Sequence, residues 1–130
     1  MIILDTHIWY WWVNLEHEKM SKKMLSVIEN ADEVAISAVS CLEITWLVKK
    51  KSLILPYELT EWFDYAIDES GLISLPVTRE IAMLSGQLPE HHKDPLDRII
   101  IATTLLHSAE LISVDGKFPL YEELKNCLIS

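Results

Sequence analysis

The sequence predicts an α/β fold: three layers, α/β/α, around a central, mostly parallel sheet of four to five strands. Two observations carry this. Short apolar, β-branched runs alternate along the chain with longer stretches of helical periodicity, which is the order of a parallel sheet covered on both faces. The chain also has 130 residues, half of them hydrophobic, with three Gly and five Pro. That is enough for one domain with a real core and too little for two, so residues 1–130 are read as a single domain without linker or repeat. A third observation concerns function: acidic residues stand where apolar runs stop or helices begin.

Ile2-Ile3-Leu4 suits a buried parallel strand. Asp5 or Thr6 can cap a helix running to about Asn14. A second helix is expected over 19–30, with Met20, Met24, Leu25, Val27 and Ile28 as its apolar side. Val34-Ala35-Ile36 is a second strand, ended by Ser37. Helical periodicity returns from Val39 to Lys50, and the terminal lysines suit the negative end of the helix dipole. After Pro56, the positions Leu59, Trp62, Phe63, Ala66 and Ile67 form an amphipathic stripe closed by Gly71.

Leu72 to Leu75 is a third strand, and Thr78 to Leu88 a helix stopped by Pro89. Pro95 suits the first turn of a helix running to roughly Ala109. Its Ile99-Ile100-Ile101-Ala102 segment has no polar face, which places that helix in the interior. Leu111 to Val114 is a fourth strand. Pro119 opens a short helix, and Cys127-Leu128-Ile129 can add an edge strand.

Net charge is −9, so the surface as a whole repels nucleic acid, whose nonspecific binding needs clustered Lys and Arg. The basic runs are Lys49-Lys50-Lys51 and Lys22-Lys23. Nucleic-acid chemistry would therefore have to be local and assisted by a cation; a basic protein partner is the other meaning of the acidity. Cys41 and Cys127 lack CxxC spacing and sit in apolar surroundings, as expected of buried thiols in a reducing cytoplasm. The first residues lack a basic leader and a cleavage site, and the apolar stretch 1–13 is too short to span a bilayer. A cytoplasmic protein without membrane contact is expected.

Each acid has an adequate local explanation. Asp5 can be a helix N-cap. Glu43 can complete a capping box with Ser40. Asp94 can cap the helix that begins at Pro95, with Asp97 at its third position. Asp115 with Gly116 can make a turn. None of these explains the set. In an open α/β sheet the strand C-termini open onto one edge, where ligands bind, so the acids can converge. Converged carboxylates repel by several kcal/mol per close pair even at an effective dielectric of about 20. A cation would relieve this, and oxygen ligands without Cys favour Mg²⁺ or Mn²⁺ over zinc. A cation held this way activates water and neutralises charge at phosphorus, which is what phosphodiester hydrolysis needs.

Leu-Asp-Thr-His at 4–7, Ser-x-x-Ser-x-x-Glu from Ser37 to Glu43, His-x-Asp-Pro-x-Asp-Arg from His92 to Arg98, and Ser-Val-Asp at 113–115 resemble the PIN-domain ribonucleases. More narrowly, the chain is similar to VapC-type toxins of prokaryotic toxin–antitoxin pairs, over essentially its whole length. The resemblance implies that Asp5, Glu43, Asp97 and Asp115 form a catalytic, metal-binding set. Thr6, Asp94 and Arg98 are auxiliary candidates. It also implies magnesium-dependent endoribonuclease activity on an RNA substrate, a homodimer, and a cognate antitoxin partner.

Other residues draw less weight. His7, His91 and His92 lie near the acids, but no spaced His or Cys set marks a zinc site, and orienting loops or facing solvent suits them better. Arg98 fits a salt bridge or a phosphate contact. Trp9-Tyr10-Trp11-Trp12 makes a helix aromatic all round, which requires burial on more than one face and suits additional cover by a second subunit or an antitoxin. Trp46 and Trp62 fit core stripes. Two other functions compete. A phosphotransfer protein would use an acidic nucleophile after the first strand, but position 7 is His and Glu43 is left unexplained. A binding module would use the acidic rim and the Trp-rich helix without turnover.

Overall fold

A computed structural model describes all residues, 1–130. The strands are β1 (Ile2–Leu4), β2 (Val34–Ser37), β3 (Ile73–Leu75), β4 (Glu110–Ile112) and β5 (Leu128–Ile129). They form one sheet in the order β3-β2-β1-β4-β5. Every pairing is parallel, so the sheet is wholly rather than mostly parallel. The helices are α1 (Thr6–Val13), α2 (Lys22–Asn30), α3 (Ala38–Lys49), α4 (Leu59–Phe63), α5 (Arg79–Gln87) and α6 (Pro95–Leu106). α4 continues into wider π-type turns over Asp64–Glu69, and 3₁₀ turns occupy His17–Lys19, Phe118–Leu120 and Glu122–Leu124.

Strand side chains alternate between faces, and this sorts the core into two layers. Ile2, Leu4, Ile36 and Ile112 pack with Ile8, Trp9, Met24 and Trp62 from α1, α2 and α4. Ile3, Ala35 and Leu111 face the opposite way, onto Ile81, Ile100 and Ile101 of α5 and α6. The isoleucine-rich centre of α6 is buried as expected, Ile100 and Ile101 completely. The chain runs outward from β1 to β2 to β3 and then crosses back to β4 on the other side of β1. The junction of β1 and β4 is therefore the topological switch point, where a doubly wound sheet opens a crevice at its carboxyl edge.

Several boundaries differ from the sequence expectation. The second helix begins at Lys22 rather than Lys19, because the Ser21 hydroxyl accepts a hydrogen bond from the Met24 N–H at 3.1 Å and fixes the N-cap there. α6 stops at Leu106, short of Ala109. Ser108 takes φ 49°, and the Ala109 N–H reaches back to the Thr104 carbonyl at 3.0 Å, a left-handed helix termination on a non-glycine residue. β4 ends at Ile112, leaving Val114 half exposed. Ser40 is not a cap. It lies inside α3, buried, while Ser37 caps that helix through the Val39 N–H at 3.3 Å, so the capping-box explanation of Glu43 falls away. Trp46 is 46% exposed and belongs to no core stripe.

The aromatic helix is covered largely by its own chain. Trp9 is fully buried, 5.1 Å from Trp62 and stacked at 6.3 Å on Phe63, and its indole N–H donates to the Ala66 carbonyl at 3.0 Å. Trp12 stacks on His17 at 5.0 Å, and the Lys19 ammonium sits 5.9 Å over Trp11. The loop that follows α1 thus folds back over the side that α4 leaves open. Trp9→Ala would open a large cavity and orphan the Ala66 carbonyl, so it should cost about 3–5 kcal/mol of stability in urea unfolding.

Candidate active site

β1 delivers Asp5 to the carboxyl edge of the sheet, and its neighbour β4 delivers Ser113 and Asp115. The Asp5 N–H donates to the Ile112 carbonyl at 3.0 Å, extending the ladder by one residue into the site. α3 begins directly after β2 and carries Glu43 in its second turn. α6 contributes Asp94 as its N-cap, accepting from the Leu96 N–H at 2.9 Å, and Asp97 in its first turn. Asp5, Glu43, Asp94, Asp97 and Asp115, together with His7 and Val114, line one cavity of about 270 Å³. The four acids singled out from the sequence therefore share one pocket, and Asp94 joins them while also capping its helix.

No Lys or Arg lines that cavity. The N-terminal ends of α1, α3 and α6 open toward it, and their dipoles offset part of the repulsion. The offset is incomplete. Burial, and then the charges of Asp5, Asp94, Glu43 and Asp115, push the Asp97 carboxyl up from 3.8 to about 7. Burial also raises Asp5, against the stabilising hydrogen bonds from Ser113 and Thr6. Glu43 is raised by burial, with Asp5 and Asp94 adding to it. A half-buried group of five carboxylates without a Lys, Arg or Cys among the residues lining it, His7 being the one nitrogen donor there, fits a hard divalent ion such as Mg²⁺ or Mn²⁺.

The supporting contacts are specific. Asp5 Oδ1 accepts from the Thr6 N–H at 2.8 Å, and Asp5 Oδ2 accepts from the Ser113 hydroxyl at 2.7 Å. The Thr6 hydroxyl donates to Ser40 Oγ at 2.9 Å, tying α1 to α3 beside Glu43. Asp115 also makes the turn expected of it, Oδ1 accepting from the Lys117 N–H at 2.8 Å. Arg98 points away from this chemistry. Its guanidinium donates to the carbonyls of Ser85, Leu88, Pro89 and His92 at 2.7–3.4 Å. It clamps the end of α5 to the loop before α6, in place of the salt bridge or phosphate contact expected from sequence.

His92 is the residue that sequence reasoning undervalued. It is buried rather than facing solvent, with Nε2 3.2 Å from Asp115 Oδ2 and 4.0 Å from Asp97 Oδ2. One ligand atom from each of His92, Asp97 and Asp115 lies within 4.8 Å of the others. Ser113 and Ser40 were likewise passed over as supports. The one local signal was their position, Ser113 inside the Ser-Val-Asp run and Ser40 one helical turn before Glu43.

Because the folded protein binds the Asp97 proton more tightly than the unfolded chain does, ionising Asp97 costs stability. That contribution is fully present below about pH 4 and is lost as pH rises through about 7. Without divalent ions, the thermal midpoint should therefore carry a component that falls across this range. Asp97→Asn should remove it, and Mg²⁺ at neutral pH should reverse it in the parent protein; thermal unfolding from pH 4 to 8 measures all three.

Comparison with known proteins places the geometry in a family. The PIN domain family model matches residues 2–124. The chain is 30% identical over 117 residues to Ribonuclease VapC22 of Mycobacterium tuberculosis, covering 89% of this chain and 88% of that protein. Its fold matches VapBC2 from Rickettsia felis bound to a promoter DNA fragment, with TM-score 0.67 and 18% identity over 99% of this chain and 98% of that one. It also matches a toxin–antitoxin complex from Klebsiella pneumoniae, with TM-score 0.64 and 19% identity over 100% of this chain and 97% of that one. The chain belongs to the PIN-domain family and is of the VapC type.

Proposed function

We propose that this chain is a Mg²⁺- or Mn²⁺-dependent endoribonuclease and the toxin of a toxin–antitoxin pair. The observation that carries the reading is the convergence of Asp5, Glu43, Asp94, Asp97 and Asp115 in one cavity at the β1/β4 switch point. A ribonuclease relative at 30% identity supports the substrate class. Asp5, Asp97, Glu43 and Asp115 hold the cation, Asp5 fixed by Ser113 and Thr6 so that its oxygens keep one orientation. When bound, the ion lowers the pKa of water and neutralises charge developing at phosphorus. With an overall charge of −9, RNA contact is local and assisted by the cation rather than spread over the surface.

A protein partner fits the surface. Leu42 and Trp46 stand 41% and 46% exposed on α3, four residues apart and therefore on one face, adjacent to the helical position of Glu43. Large apolar and aromatic side chains left in water are the usual anchors of interfaces. The complexes formed by the Klebsiella and Rickettsia neighbours support an antitoxin as one occupant, and we assign a homodimer as the resting assembly. No helix is long and apolar enough to cross a membrane.

With Mg²⁺ or Mn²⁺, the purified protein should cut single-stranded RNA, and chelation should stop it. Asp5→Asn and Asp97→Asn should each lower the rate by more than about 100-fold, beyond the 10–100-fold typical of losing a supporting contact. Gel assays on defined RNAs measure this, and intact RNA at every metal concentration would refute the nuclease reading. Induced expression should arrest growth, with relief by Asp5→Asn or by co-expression of a small DNA-binding protein encoded beside it; unimpaired growth would refute the toxin reading.

A further inference from the structure

We infer that His92 is a positioning residue of this site: Tyr121 fixes its proton on Nε2, and that proton holds the Asp115 carboxylate where a cation can use it. The inference rests on the metal-site reading above and assigns a role to a pair of residues outside the acidic set. His92 is 5% exposed. Its backbone N–H donates to the Tyr121 hydroxyl at 3.1 Å, and its ring Nδ1 lies 3.1 Å from the same oxygen. A hydroxyl that already accepts from the backbone has its own hydrogen free to donate. It donates to Nδ1, which leaves the imidazole proton on Nε2.

Nε2–H then points at Asp115 Oδ2, 3.2 Å away, an acceptor without a hydrogen of its own. The opposite tautomer would set an Nε2 lone pair against Asp115 Oδ2 at 3.2 Å and Asp97 Oδ2 at 4.0 Å. That arrangement is repulsive on both sides. The ring is held in plane by packing, stacked on Tyr121 at 5.5 Å and edge-on to Phe118 at 5.0 Å. Its backbone is pinned too, since Arg98 Nη1 donates to the His92 carbonyl at 3.4 Å.

The consequence separates two roles that proximity alone leaves open. Nε2, Asp97 and Asp115 are spaced closely enough for one ion to bridge them, but an Nε2 that carries a proton offers no lone pair. His92 therefore supports a ligand and is not one. With Lys117 N–H on Asp115 Oδ1 and Ser113 Oγ accepting the Asp115 N–H at 3.0 Å, the His92 contact completes the fixing of that side chain. Outer supports of this kind typically change metal affinity by about 10–100-fold when removed.

Mn²⁺ titrations followed by electron paramagnetic resonance test this, using the full chain and the variants His92→Phe, His92→Gln, Tyr121→Phe and His92→Phe/Tyr121→Phe. His92→Phe keeps the ring and removes the donor, and should weaken Mn²⁺ binding about 10–100-fold. His92→Gln returns an N–H near the Nε2 position and should recover most of the loss. Tyr121→Phe should weaken binding by a smaller factor and add nothing in the His92→Phe background. Unchanged affinity in His92→Phe, no recovery in His92→Gln, or additive losses in the double variant would overturn the inference. Spin-echo spectra of Mn²⁺ on the unmodified protein need no variant to fold: a directly coordinated imidazole nitrogen overturns the inference, and oxygen-only coordination supports it. Failure of the unmodified protein to bind Mn²⁺, or equal binding by Asp5→Asn, would instead remove the metal-site reading itself.

Discussion

Carboxylates crowd the carboxyl edge of the sheet between β1 and β4, and much of the surrounding structure acts to hold them there against their repulsion. Five acidic side chains share a cavity of about 270 Å³ that no Lys or Arg lines. The cost is visible in Asp97, whose carboxyl is pushed up to about 7 by burial and by four acidic neighbours. Three helix N-termini at that edge supply partial positive charge, each worth on the order of 0.3–1 kcal/mol. A close carboxylate pair costs several times that at an effective dielectric of about 20. Helix dipoles reduce the strain without removing it, so a protein left with an open cation site is the physically coherent outcome.

Fixing such groups requires neighbours that cannot move. Ser113 holds Asp5 and also receives the Asp115 N–H, so one hydroxyl couples both strand-end acids. Thr6 and Ser40 join α1 to α3 next to Glu43. Arg98, one residue after Asp97, turns about 100° around the helix and grips one carbonyl of α5 and three on the α5–α6 connection. The loop carrying His92 is thereby fixed at one end by Arg98 and at the other by Asp94, the α6 cap. Rigid placement of a loop by charge-assisted hydrogen bonds to carbonyls is a use of arginine that leaves its charge facing away from the reacting edge.

The aromatic segment of α1 serves the same end from the opposite layer. Trp9 stacks on Phe63, meets Trp62, and hydrogen-bonds the π-type turn at Ala66. The helix that starts at the acidic edge with Asp5 as its cap is therefore anchored at its middle by the fully buried rings of Trp9 and Trp62. Cover for Trp11 and Trp12 comes from the His17–Lys19 turn. Trp46 on α3 is more open to water, 46% exposed.

Sequence alone determined the layer order, the strand positions to within a residue or two, and the acidic set, because each depends on local pattern. β-branched runs, 3.6-residue stripes and acids at run ends are all readable without contacts. Helix ends were legible where a Gly marked them, as at Gly71 with φ 72°. They were illegible at Ser108, where a residue with a Cβ takes the same left-handed turn because tertiary packing over-determines it. Tertiary structure alone decided that Glu43 is free of a capping role, that Arg98 is a clamp, and that Trp46 faces water. It alone brought Tyr121 onto His92, 29 residues away. The physical reason is the same throughout: periodicity fixes which face of an element a side chain occupies, whereas its hydrogen-bond partner is set by which other element the fold lays against that face.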